Sequence, residues 1–117
     1  MEKTILIDGK QVRFKSTGGT PKRYQAQFGR GYIKDLMNMV EGGFKRDESG
    51  EINVDVEDVS KINIDVFYDI AWAFAKTADN TILPPLEWLD TFDEFPILEI
   101  MPELQELISL TLQTKKK

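Results

Sequence analysis

Asp90, Asp93 and Glu94 stand at i, i+3 and i+4, a spacing that brings three carboxylates together on the surface of a helix. Such a group can hold a divalent cation or divide acid and base roles between neighbours. A working site of either kind needs groups from a second element to complete it. No second cluster is visible along the chain, so a solvated acidic helix end is the simpler reading. The chain contains no histidine and no cysteine. That removes the usual general base, the thiolate nucleophile, the commonest zinc ligands and any disulfide. The expectation is therefore a protein without catalytic, cofactor or metal residues.

Two glycine-containing stretches imitate ligand loops and fail on detail. DESGEI resembles the middle of a calcium loop, with Asp47, Ser49, Gly50 and Ile52 suitably placed. If Gly50 takes the sixth position, however, Lys45 takes the first and Val56 the last. The leading aspartate and the bidentate glutamate are both missing. STGGTPKR and GRG match no phosphate loop, and no strand–glycine–helix order accompanies them.

The elements that must position any site follow from periodicity. Asp8-Gly9, between TILI and QVRFK, predicts a hairpin over Thr4 to Lys15. Thr20 reads as an N-cap with Pro21 at the first helical position, and Gly29 as the stop, with Tyr24 and Phe28 sharing a face. In YIKDLMNMV, Ile33, Leu36, Met37 and Val40 fall at helical spacing before Gly42-Gly43. FKRDESGE reads as a charged turn, and INVDVEDVSKI is ambiguous between strand and helical turn.

Residues 65–78 form the strongest helix. Ile64, Phe67, Ala71, Phe74 and Ala78 recur in steps of three and four, beside a second row of Val66, Ile70 and Ala73. A helix apolar nearly all round is central in a core or covered by a partner. Pro84-Pro85 open a short helix with Leu86, Leu89 and Phe92 on one face. A last helix begins near Pro102, with Leu104, Leu107, Ile108 and Leu110 as its apolar face and Glu103 and Glu106 in its first turns. The fold class expected is α+β, mainly α: an N-terminal β-hairpin followed by about four to five helices. One domain covers 1–117, divided into a hairpin (1–15), a helical part (20–112) and a basic tail (113–117).

Composition fits a folded domain: 117 residues, 41% apolar and 30% charged, well outside the disordered range. No apolar run reaches the roughly 18 residues of a membrane span, and MEKTILIDGK has no signal-like apolar stretch. Charge is uneven. Residues 1–50 hold ten basic and six acidic side chains, whereas residues 51–112 hold two and fourteen. The acidic half would repel phosphates, so nucleic acid is not an expected partner, and without a long apolar run neither is a membrane.

Both tryptophans fall in AWAFAKTADNTILPPLEWLD. Trp72 lies in the all-apolar helix and is expected in the core. Trp88, Phe92, Phe95, Leu98 and Met101 follow in short pieces broken by Pro96 and Pro102. A domain of this size cannot easily bury all of them, so they are the expected partner-binding surface. On that reading Phe95→Ala or Met101→Ala should leave folding nearly intact.

From W-x-F-A-K-T-A-D (Trp72 to Asp79), through P-P-x-E-W-L-D (Pro84 to Asp90) and F-x-x-F-P-I (Phe92 to Ile97), to the lysine-ended terminus, the chain resembles phage and prophage tail assembly chaperones of the siphophage type from Gram-positive hosts. The resemblance covers residues 66–117; the hairpin and the YIKDLMNMVE helix are compatible with it. It implies a small non-enzymatic protein in the bacterial host cytoplasm, absent from the mature virion. Such a protein binds the tape measure protein and keeps it soluble while tail-tube subunits polymerise. It further implies a longer product, made by ribosomal frameshifting near Lys115–Lys117, whose extension recruits the tail-tube protein. A homo-oligomer is compatible with the resemblance. Alternatives from other classes are a small acidic adaptor or inhibitor that mimics nucleic acid, and a structural head–tail component. The acids cluster at helix starts and alternate with large apolar residues, which suits capping better than mimicry.

Overall fold

The computed structural model describes residues 2–39, 45–46, 52–53 and 62–112. Strands β1 (Glu2–Ile7) and β2 (Lys10–Lys15) pair antiparallel, from Glu2 opposite Lys15 to Ile7 opposite Lys10. The two-residue turn has positive φ at both Asp8 (53°) and Gly9 (75°), the backbone that matches the twist of the flanking strands and that an Asp-Gly pair tolerates. The hairpin was expected from Thr4; it starts at Glu2. Ile5, Ile7 and Phe14 point into the core, while Leu6 is exposed on the other face, as the alternation of a strand requires.

Helix α1 (Thr20–Phe28) ends as expected at Gly29, whose φ of 71° lets its N–H close onto the Gln25 carbonyl. Its start differs from expectation. Gly19 occupies the cap position, and Thr20 is the first helical residue and fully buried. The Thr20 hydroxyl accepts from the Thr17 N–H at 3.1 Å and meets the Thr77 hydroxyl at 3.2 Å. It therefore ties two helices instead of capping one.

Helix α2 (Tyr32–Asn38) is rotated relative to the sequence reading. Tyr32, Leu36 and Met39 are buried, whereas Ile33 and Met37 are exposed. Two apolar rows compete on this helix. The row carrying Tyr32 faces inward, where its ring meets those of Tyr24 and Phe74 at 5.5 and 6.4 Å. Val40 lies outside the described residues. Two short strands follow, β3 (Lys45–Arg46) and β4 (Ile52–Asn53), paired antiparallel. Most of FKRDESGE and of the ambiguous INVDVEDVSKI segment, and the DESGEI loop apart from Ile52, lie outside the described residues, as does the basic tail.

Helix α3 (Ile64–Ala78) is the central element, packing against β2, α1, α2 and α4. Asn63 caps it, its side-chain oxygen accepting from the Val66 N–H at 3.2 Å, a contact worth about 0.5–2 kcal/mol. Phe67, Ile70, Ala71, Trp72, Ala73, Phe74 and Ala75 are all buried along it. Its C-terminal end takes a cation, in accord with the helix dipole: Arg13 donates to the Ala78 carbonyl at 3.1 Å, while Lys76 donates to the carbonyl of Asn80 in the loop beyond, at 2.7 Å.

In α4 (Pro85–Leu89) it is Trp88 that turns inward, while Leu86 is exposed and Leu89 and Phe92 are half-buried. Helix α5 (Ile97–Leu112) begins five residues before the expected start at Pro102. Pro96 marks the start instead, its carbonyl accepting from the Glu99 and Ile100 N–H groups. Pro102 sits inside the helix and withholds one N–H near its beginning. Leu104, Leu107 and Ile108 are buried as expected; Leu110 is exposed. With one N-terminal hairpin and five helices among the described residues, the chain is α+β and mainly α, as the sequence indicates. No helix among the described residues is long and apolar enough to cross a membrane.

Candidate functional site

The five residues expected to form a partner surface do not share one exposure. Trp88 is 5% exposed and Met101 2%. Phe92 and Phe95 are half-buried and pack on the core. Only Leu98, at 44%, faces outward. The expected surface is therefore corrected for Trp88 and Met101, which are core residues.

The reason lies in the connection between α4 and α5. Its bend at Phe92 to Pro96 lets successive aromatics fold over α3. The Phe95 ring lies 5.6 Å from Tyr68, 6.5 Å from Phe67, 5.8 Å from Trp88 and 5.6 Å from Phe92. Trp88 and Phe92 meet edge-on at 5.3 Å, a favoured ring geometry. The hairpin turn holds the connection from the other side. The Asp8 carboxylate accepts from the Asp93 N–H at 2.9 Å. Lys10 donates to the Thr91 carbonyl, with its ammonium 5.3 Å from the Phe92 ring centre.

The carboxylates Asp90, Asp93 and Glu94 accordingly sit beside an anchored connection. Among the described residues no group of three or more acidic side chains is placed to hold a metal ion.

The densest polar cluster has no signature in the spacing of its residues. Arg30 donates to Asp35 at 2.7 Å, to Asp69 at 2.5 Å and to the Tyr24 hydroxyl at 3.2 Å, and Tyr24 donates to Asp35 at 2.6 Å. The guanidinium also lies 5.6 Å from the Phe28 ring centre. These contacts clamp the α1–α2 turn onto α3. Burial, then the Asp35 hydrogen bond, push the Tyr24 phenol upward, which keeps it a donor.

The two carboxylates shift in opposite directions. For Asp35 burial pushes upward, but hydrogen bonds from Arg30 and Tyr24 together outweigh it, and the group ends below the usual aspartate range. For Asp69 burial is the largest influence and Arg30 only partly offsets it, so the group ends above that range. Asp35 thus contributes stability above its unfolded titration range, and that contribution disappears as pH falls through its folded value. Asp69 has the opposite sign: its contribution is full at low pH and fades as pH rises through its folded value. Asp35→Asn should cost about 1–2 kcal/mol at neutral pH, after allowing for the half-exposed Arg30, and the deficit should shrink toward pH 3. Asp69→Asn should gain on wild type as pH rises. Urea unfolding of the three proteins across that range measures both trends; parallel curves would contradict them.

The remaining unexplained surface is apolar and cationic. Leu83 and Leu86, on either side of the double proline, are 49% and 67% exposed. An open depression of about 420 Å³ between α1 and α3 is lined by Lys22, Arg23, Ala26, Gln27, Trp72 and Lys76. The Leu83 carbonyl accepts from the indole N–H of the lining Trp72 at 3.0 Å. Sequence reasoning placed Leu86 on one face with Leu89 and Phe92 and passed over Leu83.

Comparison of the chain with family models, curated proteins and solved structures gave no match.

Proposed function

We propose that the chain is a non-enzymatic tail assembly chaperone of the siphophage type, acting in the bacterial host cytoplasm. It binds the tape measure protein and keeps it soluble while the tail tube polymerises. The observation that carries this reading is the ordered run of W-x-F-A-K-T-A-D, P-P-x-E-W-L-D and F-x-x-F-P-I between Trp72 and Ile97. These motifs supply Trp72, Trp88, Phe92 and Phe95 to one packed unit on α3, and that unit leaves Leu83, Leu86 and Leu98 exposed. Exposed leucines on a rigid base suit the apolar face of a long helix. The acidic excess of residues 51–112 suits a coat that keeps its client dissolved through repulsion.

Co-expression with the tape measure protein from the same gene cluster tests the reading. The wild-type chain should raise the soluble fraction of the tape measure protein and co-purify with it. Leu86→Glu and Leu98→Glu should lower both while melting within a few degrees of wild type, because exposed positions change stability by only about 0.5 kcal/mol. A tape measure protein equally soluble without the chain would remove the proposal.

A further inference from the structure

We infer that the depression between α1 and α3 docks an acidic segment of another polypeptide, held by its glutamate or aspartate side chains. Three cations line it: Lys22, Arg23 and Lys76. Helix α1 carries no acidic residue. Among the described residues, none of the three cations has a carboxylate within ion-pair distance, a state they share with Lys10, Lys15 and Lys34 but not with Lys3, Arg13 and Arg30. In a chain of net charge −5, a hollow lined by three cations and no acidic side chain is a local reversal of sign, although Lys76 also feels the nearby Asp79.

Arg23 adds a second and independent sign. Its Nε is buried and lacks a hydrogen-bond partner, so one edge of a guanidinium built to grip a carboxylate by two parallel bonds stands unused. An arriving carboxylate gives the side chain reason to swing and satisfy that edge.

The surroundings select a peptide over a free anion. Lys76 is held in place by the Asn80 and Ile82 carbonyls and lies 5.9 Å from the Trp72 ring centre. Leu83, 49% exposed, is tied through its carbonyl to the Trp72 that lines the hollow. A charged hollow beside an exposed leucine fits a segment with acids on one edge and apolar side chains next to them. The inference rests on side-chain chemistry alone and does not depend on the tail-assembly reading.

The test is fluorescence anisotropy with a labelled alanine-rich helical peptide of about 15 residues, long enough to hold some helix. It carries glutamates at i and i+4 with leucines alongside, and its twin carries glutamine in place of glutamate. The glutamate peptide should bind at least about tenfold more tightly than the twin, a difference of about 1.4 kcal/mol. Arg23→Gln and Lys22→Gln should each remove most of that preference. Neither breaks an ion pair among the described residues, so melting curves should stay close to wild type. Binding should also weaken as salt rises.

Equal affinity for the two peptides overturns the inference, as does an unchanged preference in both variants. So does complete displacement of the peptide by inorganic phosphate, which would make the hollow a free-oxyanion site. Self-association in sedimentation that Arg23→Gln abolishes would assign the hollow to a second copy of the chain and overturn it too.

Discussion

Replacing Trp72 with alanine should cost about 3–5 kcal/mol of folding stability, as removal of a large core side chain does. The indole is 3% exposed. It meets Phe28 edge-on at 5.7 Å and donates its N–H to the Leu83 carbonyl at 3.0 Å. The loss thus joins a cavity in the centre of α3 to release of the loop before the double proline. Trp72→Phe separates the two, since it keeps most of the ring volume and gives up the hydrogen bond, worth about 1 kcal/mol. Urea midpoints of the two variants against wild type measure the difference. A Trp72→Ala protein as stable as wild type would contradict the packing described for α3.

Met101→Ala should cost about 2–5 kcal/mol, and Leu98→Ala, three residues earlier in the same helix, should stay within about 0.5 kcal/mol. Sequence reasoning treated both as surface positions, yet Met101 is 2% exposed and Leu98 44%. Phe95→Ala belongs with Met101 in direction, because the ring bridges Phe67, Tyr68, Trp88 and Phe92. The earlier expectation that Phe95 and Met101 substitutions leave folding intact is therefore reversed. Equal unfolding midpoints for Met101→Ala and Leu98→Ala would overturn the orientation of α5.

The contrast shows where the sequence could be read and where it could not. The hairpin was legible because Asp8-Gly9 accepts the two positive φ angles that a tight turn demands. Helix α3 was legible because its apolar rows are too long to belong to anything else. The face of α2 was not, since the Ile33/Met37 row and the Tyr32/Leu36/Met39 row are both apolar and only the neighbouring rings decide between them. Pro102 misled because proline marks a helix start far more often than it sits within one. The fate of Trp88 to Met101 was invisible for a different reason. Burying those aromatics depends on Asp8 and Lys10 holding the chain at Thr91 and Asp93, more than eighty residues away, and no local pattern records such a contact. The Arg23 hollow escaped notice likewise, because isolation from acidic partners is a property of space and not of spacing.

That long reach has a consequence for how the chain is made. The hairpin's Ile5, Ile7 and Phe14 belong to the same core as Leu104, Leu107 and Ile108, and α5 packs directly on β1. At about 5–20 residues per second, a ribosome needs roughly 5–20 s to travel from the first group to the last. Throughout that interval the nascent strands lack their α5 cover. Lys3, Lys10, Arg13 and Lys15, spaced along and around those strands, place charge among the apolar residues. Such charges discourage edge-to-edge pairing between chains growing side by side on one messenger.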